Sequence, residues 1–190
     1  MEKEVLVEVS ARHVHLSQVD LAALFGADYQ LTMKKELSQP GQFACEERVD
    51  IIGLKGSIKN VVILGPVRAV TQVEVSLTDA RTLGLSAEIR ESGDIAGTSG
   101  CILVGPKGEL EITEGLIAAK RHVHLDPETA VAWDLSDKET ISIALDTPER
   151  SLVLNDVVVR VNSQFATAVH IDTDEANAAG FLYGKGKVLK

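Results

Sequence analysis

The pentapeptide Arg12-His13-Val14-His15-Leu16 occurs a second time, letter for letter, at Arg121-His122-Val123-His124-Leu125. Four of the five histidines in the chain lie in these two copies. On an extended backbone, residues i and i+2 point to the same side, so each copy presents two imidazoles together. Because neutral imidazole is the commonest metal ligand, the doubled motif predicts metal sites rather than ordinary core or surface histidines.

The repeat continues to the fifth histidine. The segment 169–180 matches the segment 73–84 at an offset of 96 residues, and both are typical of a short strand followed by a short helix that ends at glycine. In this register His170 corresponds to Glu74. Each half then offers three ligands, which are His13, His15 and Glu74 in one and His122, His124 and His170 in the other. Three donors of this kind leave a coordination position open for water or substrate, as in catalytic zinc sites.

Composition excludes several classes of function. The chain has 190 residues, 45% of them hydrophobic, which is enough for one large or two small soluble domains. Its net charge of −9 argues against general binding to nucleic acid or to an anionic membrane. Cys45 and Cys101 lack a Cys-x-x-Cys partner, so we expect inert, partly buried thiols. No signal peptide or membrane-spanning run is visible, which favours the cytoplasm.

Short helices are predicted directly after each His-x-His motif. Ser17 should cap a helix that runs through Leu24 or Phe25 and stops at Gly26, and residues 126–133 should form its counterpart, with Asp126 as cap and Pro127 in the first turn. Residues 29–33 are predicted to form a strand, 85–89 another, and 91–100 a connecting loop without the phosphate-binding loop spacing. The basic segment 184–187 is predicted to be mobile.

The pattern of elements predicts the fold class. Many short strands with turns every ten or so residues, and only a few short helices, indicate a mainly β protein built of small barrels or sandwiches with helical caps. The internal repeat indicates two similar halves. Neither set of ligands looks complete alone, so we expect the halves to face each other across a shared cleft.

Arg68 is the candidate anion-binding residue, since a guanidinium matches the oxygens of a phosphate; the alternative is a surface arginine after the turn 65–67. Paired three-ligand sites would support two-metal or Lewis-acid chemistry on a carbonyl or phosphoryl group. No serine elbow or reactive-cysteine arrangement is present, so a covalent intermediate is not expected.

Four long stretches resemble the PduL-type phosphate acyltransferases, also called phosphate propanoyltransferases or phosphotransacylases. They are 10–17 (SARHVHLS), 31–43 (LTMKKELSQPGQF), 64–68 (LGPVR) and 170–177 (HIDTDEAN). The resemblance covers nearly the whole chain. It implies exchange of phosphate and coenzyme A (CoA) on a short acyl group, such as propanoyl or acetyl, by direct attack of phosphate on the thioester.

The resemblance also implies a site and an architecture. It implies two zinc ions on the six ligands above, phosphate bound by Arg68, and CoA contacts at Ser10, Lys35, Leu64, His170 and Asn177. It implies two helix-capped β-barrels, one formed by 1–11 with 120–190 and the other by 12–119, so that the N-terminal strand completes the C-terminal barrel. Members tend to be homodimers or larger homo-oligomers.

One feature departs from part of that family. Members packed into bacterial microcompartments carry an amphipathic N-terminal extension, whereas here nine residues precede Ser10 and look like a strand. A free cytoplasmic enzyme is therefore expected.

Two other functions stay open on the residues alone. One is a dinuclear metal hydrolase of esters or phosphoesters, which phosphate-independent release of CoA would reveal. The other is a non-catalytic, cupin-like metal-binding module. Cupins place a glutamate a few residues after His-x-His, but Glu74 follows His15 by 59 residues.

Overall fold

The structure is a computed structural model that describes residues 3–190. Strands predominate and the four helices are short. In chain order the elements are β1 (Glu4–Ser10), β2 (His13–His15), α1 (Gln18–Phe25), β3 (Met33–Glu36), β4 (Phe43–Ile52), β5 (Ser57–Gly65), β6 (Gln72–Glu74), α2 (Leu77–Leu83), β7 (Glu88–Arg90), β8 (Ser99–Gly105), β9 (Gly108–Ala119), β10 (His122–Leu125), α3 (Pro127–Trp133), β11 (Thr140–Leu145), β12 (Leu152–Val161), β13 (Ala168–Asp172), α4 (Thr173–Ala179) and β14 (Gly184–Leu189).

The chain forms two compact units. The first, called here the C-terminal barrel, contains the described residues through Ala11, Ser38–Pro40 and Lys120–Lys190. The second, the N-terminal barrel, contains Arg12–Leu37 and Gly41–Ala119.

Each unit is a closed ring of six strands. The C-terminal ring runs β1-β13-β10-β12-β11-β14 and closes because β14 pairs with β1. The N-terminal ring runs β9-β6-β2-β5-β4-β8 and closes because β8 pairs with both β4 and β9; β3 and β7 add to it. In both rings the His-x-His strand lies between one parallel and one antiparallel neighbour. The predicted mainly β fold of two small barrels is confirmed.

The two rings use equivalent strands, but the chain does not fill them in simple order. The strand β1 comes immediately before β2, yet it belongs to the C-terminal barrel. Likewise β9 comes immediately before β10 and belongs to the N-terminal barrel.

The intervening residues of the repeated pentapeptide anchor each motif in a core. Val14 and Leu16 are fully buried in the apolar core of the N-terminal barrel, and Val123 and Leu125 are fully buried in that of the C-terminal barrel. Alternation along a strand therefore turns the two histidines of each motif to the opposite face.

The predicted caps of the helices after the two motifs are confirmed. The Ser17 hydroxyl accepts a hydrogen bond from the backbone N–H of Asp20 and α1 stops before Gly26. The Asp126 carboxylate accepts from the N–H of Thr129, and Pro127 opens α3. No helix among residues 3–190 has the length and apolar character needed to cross a bilayer.

Three predictions about local structure were wrong. Residues 29–32 are not a strand; β3 begins at Met33. The strand predicted over 85–89 begins only at Glu88. The segment 184–187, predicted to be mobile, is the main part of β14, which pairs with β1 and β11 and closes the C-terminal ring.

Candidate functional site

The first triad consists of His13, His15 and Glu74. In the sheet, β2 pairs antiparallel with β6 so that His13 lies directly opposite Glu74. His13 Nε2 lies 3.4 Å from Glu74 Oε2, and His15 Nε2 lies 3.9 Å from Glu74 Oε1. All three side chains are buried. The Nδ1–H of His15 donates to the Leu64 carbonyl oxygen at 3.2 Å, which leaves Nε2 as the free lone pair.

The second triad consists of His122, His124 and His170, and it repeats this arrangement. The strand β10 pairs antiparallel with β13, and His122 lies directly opposite His170. The equivalence of His170 and Glu74, inferred from the 96-residue offset, therefore holds as sheet register. The Nδ1–H of His122 donates to the Lys120 carbonyl oxygen at 2.8 Å, so Nε2 is the ring nitrogen that carries the lone pair.

The environment keeps imidazoles in both triads neutral. Burial, followed by the adjacent His13 and Arg68, lowers the pKa of His15 to about 3. Burial and the neighbouring His122 and His170 lower the pKa of His124 to about 2. Neutral imidazole is the form that coordinates a metal ion.

Glu74 is held in its charged form. Burial alone would raise the pKa of Glu74, but the adjacent His13 and the hydrogen bonds that Glu74 accepts outweigh burial and hold that pKa well below its ordinary value. The first triad therefore carries a fixed negative charge that the second lacks.

Both triads fit a divalent ion. The possible ligand atoms of each triad lie within 4.8 Å of one another. Bonds of about 2.0–2.1 Å in a tetrahedral site place neighbouring ligand atoms about 3.3 Å apart, close to the His13–Glu74 separation. In the second triad, His124 Nδ1 is buried without a hydrogen-bond partner in the described part of the chain. A bound ion would satisfy such an atom.

Arg68 lies beside the first triad. Its backbone N–H donates to the Leu16 carbonyl at 2.9 Å, which fixes the turn against the His-x-His strand. Its Nη1 donates to Ser92 Oγ at 3.0 Å, and the Ser92 hydroxyl donates to Glu74 Oε1 at 2.9 Å. One hydroxyl thus links the candidate phosphate-binding residue to a candidate metal ligand.

Gln72 completes this network. It is two residues before Glu74 on β6, so both side chains lie on one face. Its Nε2 donates to Glu74 Oε1 at 2.6 Å and to Ser92 Oγ at 2.9 Å, while its Oε1 accepts from the Gly93 N–H at 2.7 Å. These contacts occupy Oε1 of Glu74 and leave Oε2 facing His13.

The ring of His170 also has partners. Glu8 lies opposite His170 in the parallel β1–β13 pair, and its Oε2 is 3.7 Å from His170 Nδ1. Gln39, a buried residue of the segment that the second repeat lacks, has its Nε2 at 3.4 Å from His170 Nε2. The Gln39 amide is held in turn by both backbone polar groups of Ala166.

The residues expected to contact CoA fall into two groups. Lys35 and Leu64 both lie opposite Ala44, on strands to either side of β4, so they share one face of the N-terminal barrel. Ser10 lies two residues after Glu8 on the strand that pairs with the His170 strand, and Asn177 is exposed on α4.

The cysteines are poor candidates for catalysis. Both are buried. Burial, with the nearby Glu47, raises the pKa of Cys45 to about 11, and burial raises the pKa of Cys101 to about 12. A thiol with such a pKa is not a nucleophile near neutral pH.

Sequence reasoning missed the residues that orient the ligands. The segment 91–100 was interpreted as a connection, but Ser92 and Gly93 belong to the network around Glu74. Gln72 carried one usable signal, since a glutamine two residues before a predicted ligand on a short strand shares its face. Glu8 and Gln39 carried none, because His170, which both approach, is more than 130 residues away from each.

Comparison with known proteins identifies the family. A family model described as phosphate propanoyltransferase matches residues 6–182. The chain is 53% identical to a phosphate propanoyltransferase of Clostridioides difficile, covering all of this chain and 90% of the relative. It is 50% identical to one of Listeria monocytogenes, over 100% and 89% of the two chains, and 46% identical to one of Salmonella typhimurium, over 94% and 85%. The chain therefore belongs to the phosphate propanoyltransferase family.

Proposed function

We propose that this chain is a phosphate acyltransferase that interconverts a short-chain acyl-CoA and phosphate with an acyl phosphate and CoA. The family assignment supports the reaction, and propanoyl-CoA is the proposed substrate because the relatives are phosphate propanoyltransferases. The observation that carries the proposal is the Arg68–Ser92–Glu74 network. It sets a phosphate-matching guanidinium beside a buried ligand triad.

Arg68 is the proposed phosphate-binding residue. Ser92 Oγ accepts a hydrogen bond from Nη1 of Arg68. A guanidinium carries five N–H donors in a planar fork, a geometry that matches two oxygens of one phosphate. Held there, a hydrogen phosphate oxygen attacks the thioester carbonyl carbon. The new C–O bond replaces the C–S bond, and the proton of the hydrogen phosphate ends on the departing CoA sulfur. Holding the two substrates together supplies much of the rate.

The two triads are the proposed holders of divalent metal ions, with zinc the favoured metal for these nitrogen and oxygen donors. When bound, such ions supply Lewis acidity and offset negative charge on the phosphate. The side chains contribute orientation: Gln72 and Ser92 fix the Glu74 carboxylate, and backbone carbonyls fix the His15 and His122 rings.

CoA contacts are proposed at Ser10, Lys35, Leu64, His170 and Asn177. Lys35 is exposed and suits an anionic phosphate of CoA. A shared cleft, a homo-oligomer and a cytoplasmic location stay predictions of the sequence.

A CoA-release assay tests the proposed reaction. Acetyl-, propanoyl- and butanoyl-CoA are each incubated with the protein, with and without phosphate, and both free thiol and acyl phosphate are measured. We expect thiol release that requires phosphate, with one acyl phosphate per thiol and propanoyl-CoA preferred. Equal release without phosphate would instead show a hydrolase, and preference for another chain length would correct the substrate alone.

A further inference from the structure

The arginine that opens each copy of the repeated pentapeptide makes the same connection in both barrels. In the N-terminal barrel, Arg12 Nη1 donates to Asp79 Oδ1. In the C-terminal barrel, Arg121 Nε lies 2.7 Å from Glu175 Oε1. Asp79 and Glu175 are related by the same 96-residue offset as Glu74 and His170, so the two ion pairs are equivalent.

The acidic partners have a defined place. Each is the third residue of the helix that follows the third ligand, and each closes a capping box with the residue before that helix. The helix caps, Ser76 and Asp172, stand two residues after Glu74 and His170 respectively. In both barrels, therefore, an arginine immediately before the first ligand binds an acid five residues after the third ligand.

Each ion pair lies next to the end of the short strand pair that carries the candidate ligands. The pair of β2 with β6 spans only three residue pairs, and its last one is His13 with Glu74. The pair of β10 with β13 likewise ends at His122 with His170. The residue pair at the end of a strand ladder opens most readily. Here such opening would separate two candidate ligands of one triad. The arginine ties the strand to the following helix just beyond this end.

In each ion pair the arginine reaches solvent, whereas the acid is largely buried. The side chains of Arg12 and Arg121 are 47% and 30% exposed, while Asp79 and Glu175 are 10% and 16% exposed. Solvent at the arginine end screens each pair and limits its contribution to stability. The two use different guanidinium nitrogens and acids of different length, yet the connection is the same, which indicates a geometric requirement.

We propose that Arg12 and Arg121 are positioning residues, each of which holds the first and third ligands of its own triad at metal-binding distance. This inference rests on the proposed metal sites. It predicts that each arginine affects metal affinity in its own barrel and not in the other.

Zinc affinity in single-site proteins tests the proposal. His124→Ala leaves the first triad as the only complete one, and His15→Ala leaves the second. Arg12→Gln and Arg121→Gln are each placed in both backgrounds, and zinc dissociation constants are measured by competition with a chromophoric chelator. Arg12→Gln should weaken zinc binding about 10-fold in the His124→Ala protein only, and Arg121→Gln should do so in the His15→Ala protein only.

Two further measurements separate positioning from general destabilisation. The melting temperature of the metal-free proteins should change little, and Arg12→Lys should restore most of the affinity, because only one nitrogen of Arg12 contacts Asp79 in the described bond. Equal losses of affinity in both backgrounds, or no loss in either, would overturn the positioning role. Single-site parents that bind no zinc would overturn the metal sites themselves, which is a different and earlier failure.

Discussion

At the level of single residues, the Ser92 hydroxyl connects the proposed phosphate-binding residue to a candidate metal ligand. It donates to Glu74 and accepts from both Arg68 and Gln72, so its hydrogen-bonding capacity is filled. Groups that orient a metal ligand typically contribute 10- to 100-fold to metal affinity or activity.

Arg68→Ala should raise the KM for phosphate about 10- to 100-fold, because it removes charge-assisted hydrogen bonds to one substrate. The KM for acyl-CoA should change far less. Arg68→Lys should restore only part of the affinity for phosphate, since an ammonium cannot make a two-pronged contact. Steady-state kinetics with each substrate varied in turn measures this, with Arg90→Ala as control, because Arg90 makes a surface ion pair with Asp94. An equal rise in the KM for phosphate and for acyl-CoA would show that Arg68 has a structural role.

Ser92→Ala should weaken both functions that the hydroxyl connects. We expect about 10-fold weaker zinc binding at the first triad, measured in a His124→Ala background, and a raised KM for phosphate in the otherwise native protein. Ser86→Ala, at an exposed serine nearby in the chain, is the control. If the zinc affinity and the KM for phosphate both equal those of the parent proteins, the hydrogen bonds of Ser92 do not contribute to either function.

At the level of elements, residues 29–32 show why one strand was predicted wrongly. The segment has the alternation of a strand, but a buried carboxylate takes the place of a strand neighbour. Glu47 accepts from the Tyr29 hydroxyl at 2.9 Å and from the Thr32 backbone N–H at 3.0 Å. Propensity cannot reveal such a contact, because the partner lies on another strand.

The same contact predicts a pH dependence of stability. Burial alone would raise the pKa of Glu47, but its hydrogen bonds outweigh burial and lower the pKa below the ordinary value of 4.5. Glu47 therefore stabilises the fold fully above its unfolded-state pKa, and the contribution is lost as the pH falls through the lower folded-state pKa.

Glu47→Gln should consequently lower stability at pH 7 by about 1–2 kcal/mol, and the difference from the native protein should shrink as the pH falls below about 4.5. Thermal melting at a series of pH values measures it. Glu46→Gln is the matched control, because Glu46 makes a half-exposed ion pair with Lys34. A deficit that stays constant into acid would mean that the charge of Glu47 contributes nothing.

The strand β14 shows the second limit of sequence patterns. Glycine and lysine alternate over 184–187, which resembles a solvated tail, yet this alternation turns Gly186 into the barrel. A Cβ at Gly186 would lie 2.7 Å from Ile143 Cγ2 and 3.0 Å from Val7 Cγ2. The glycine is required by the close approach of β1 and β11, which no local pattern discloses.

Gly186→Ala should therefore destabilise the C-terminal barrel by about 1–3 kcal/mol through overpacking. Chemical denaturation measures the loss. Gly108→Ala serves as control, since a Cβ there meets its nearest atom at an ordinary 3.7 Å. Equal stability of the two variants would show that the barrel interior has room at position 186.

At the level of the whole molecule, the internal repeat made the fold and the grouping of the candidate ligands predictable. The pentapeptide and the 96-residue offset together select six candidate ligands, and the first and third of each set pair in the same sheet register in both barrels. The residues around the ligands could not be predicted, because Ser92, Glu8 and Gln39 reach them through strand pairing and loop placement. Local periodicity identifies strands, whereas the contacts between strands depend on the closed rings.

Two closed apolar cores should also make the fold independent of bound metal. The core of each barrel is formed mainly by aliphatic side chains. Removal of metal should therefore abolish transfer while leaving the strand structure intact, and this permits metal to be returned to a folded protein.

The rate of phosphate-dependent CoA release from propanoyl-CoA, measured while zinc is titrated into metal-free protein, tests the central claim most directly. The two matched triads predict a rate that is negligible without metal, rises with added zinc and levels off near two ions per chain, about one for each triad. A full rate in the metal-free protein, or a plateau at well under one zinc per chain, would contradict the account.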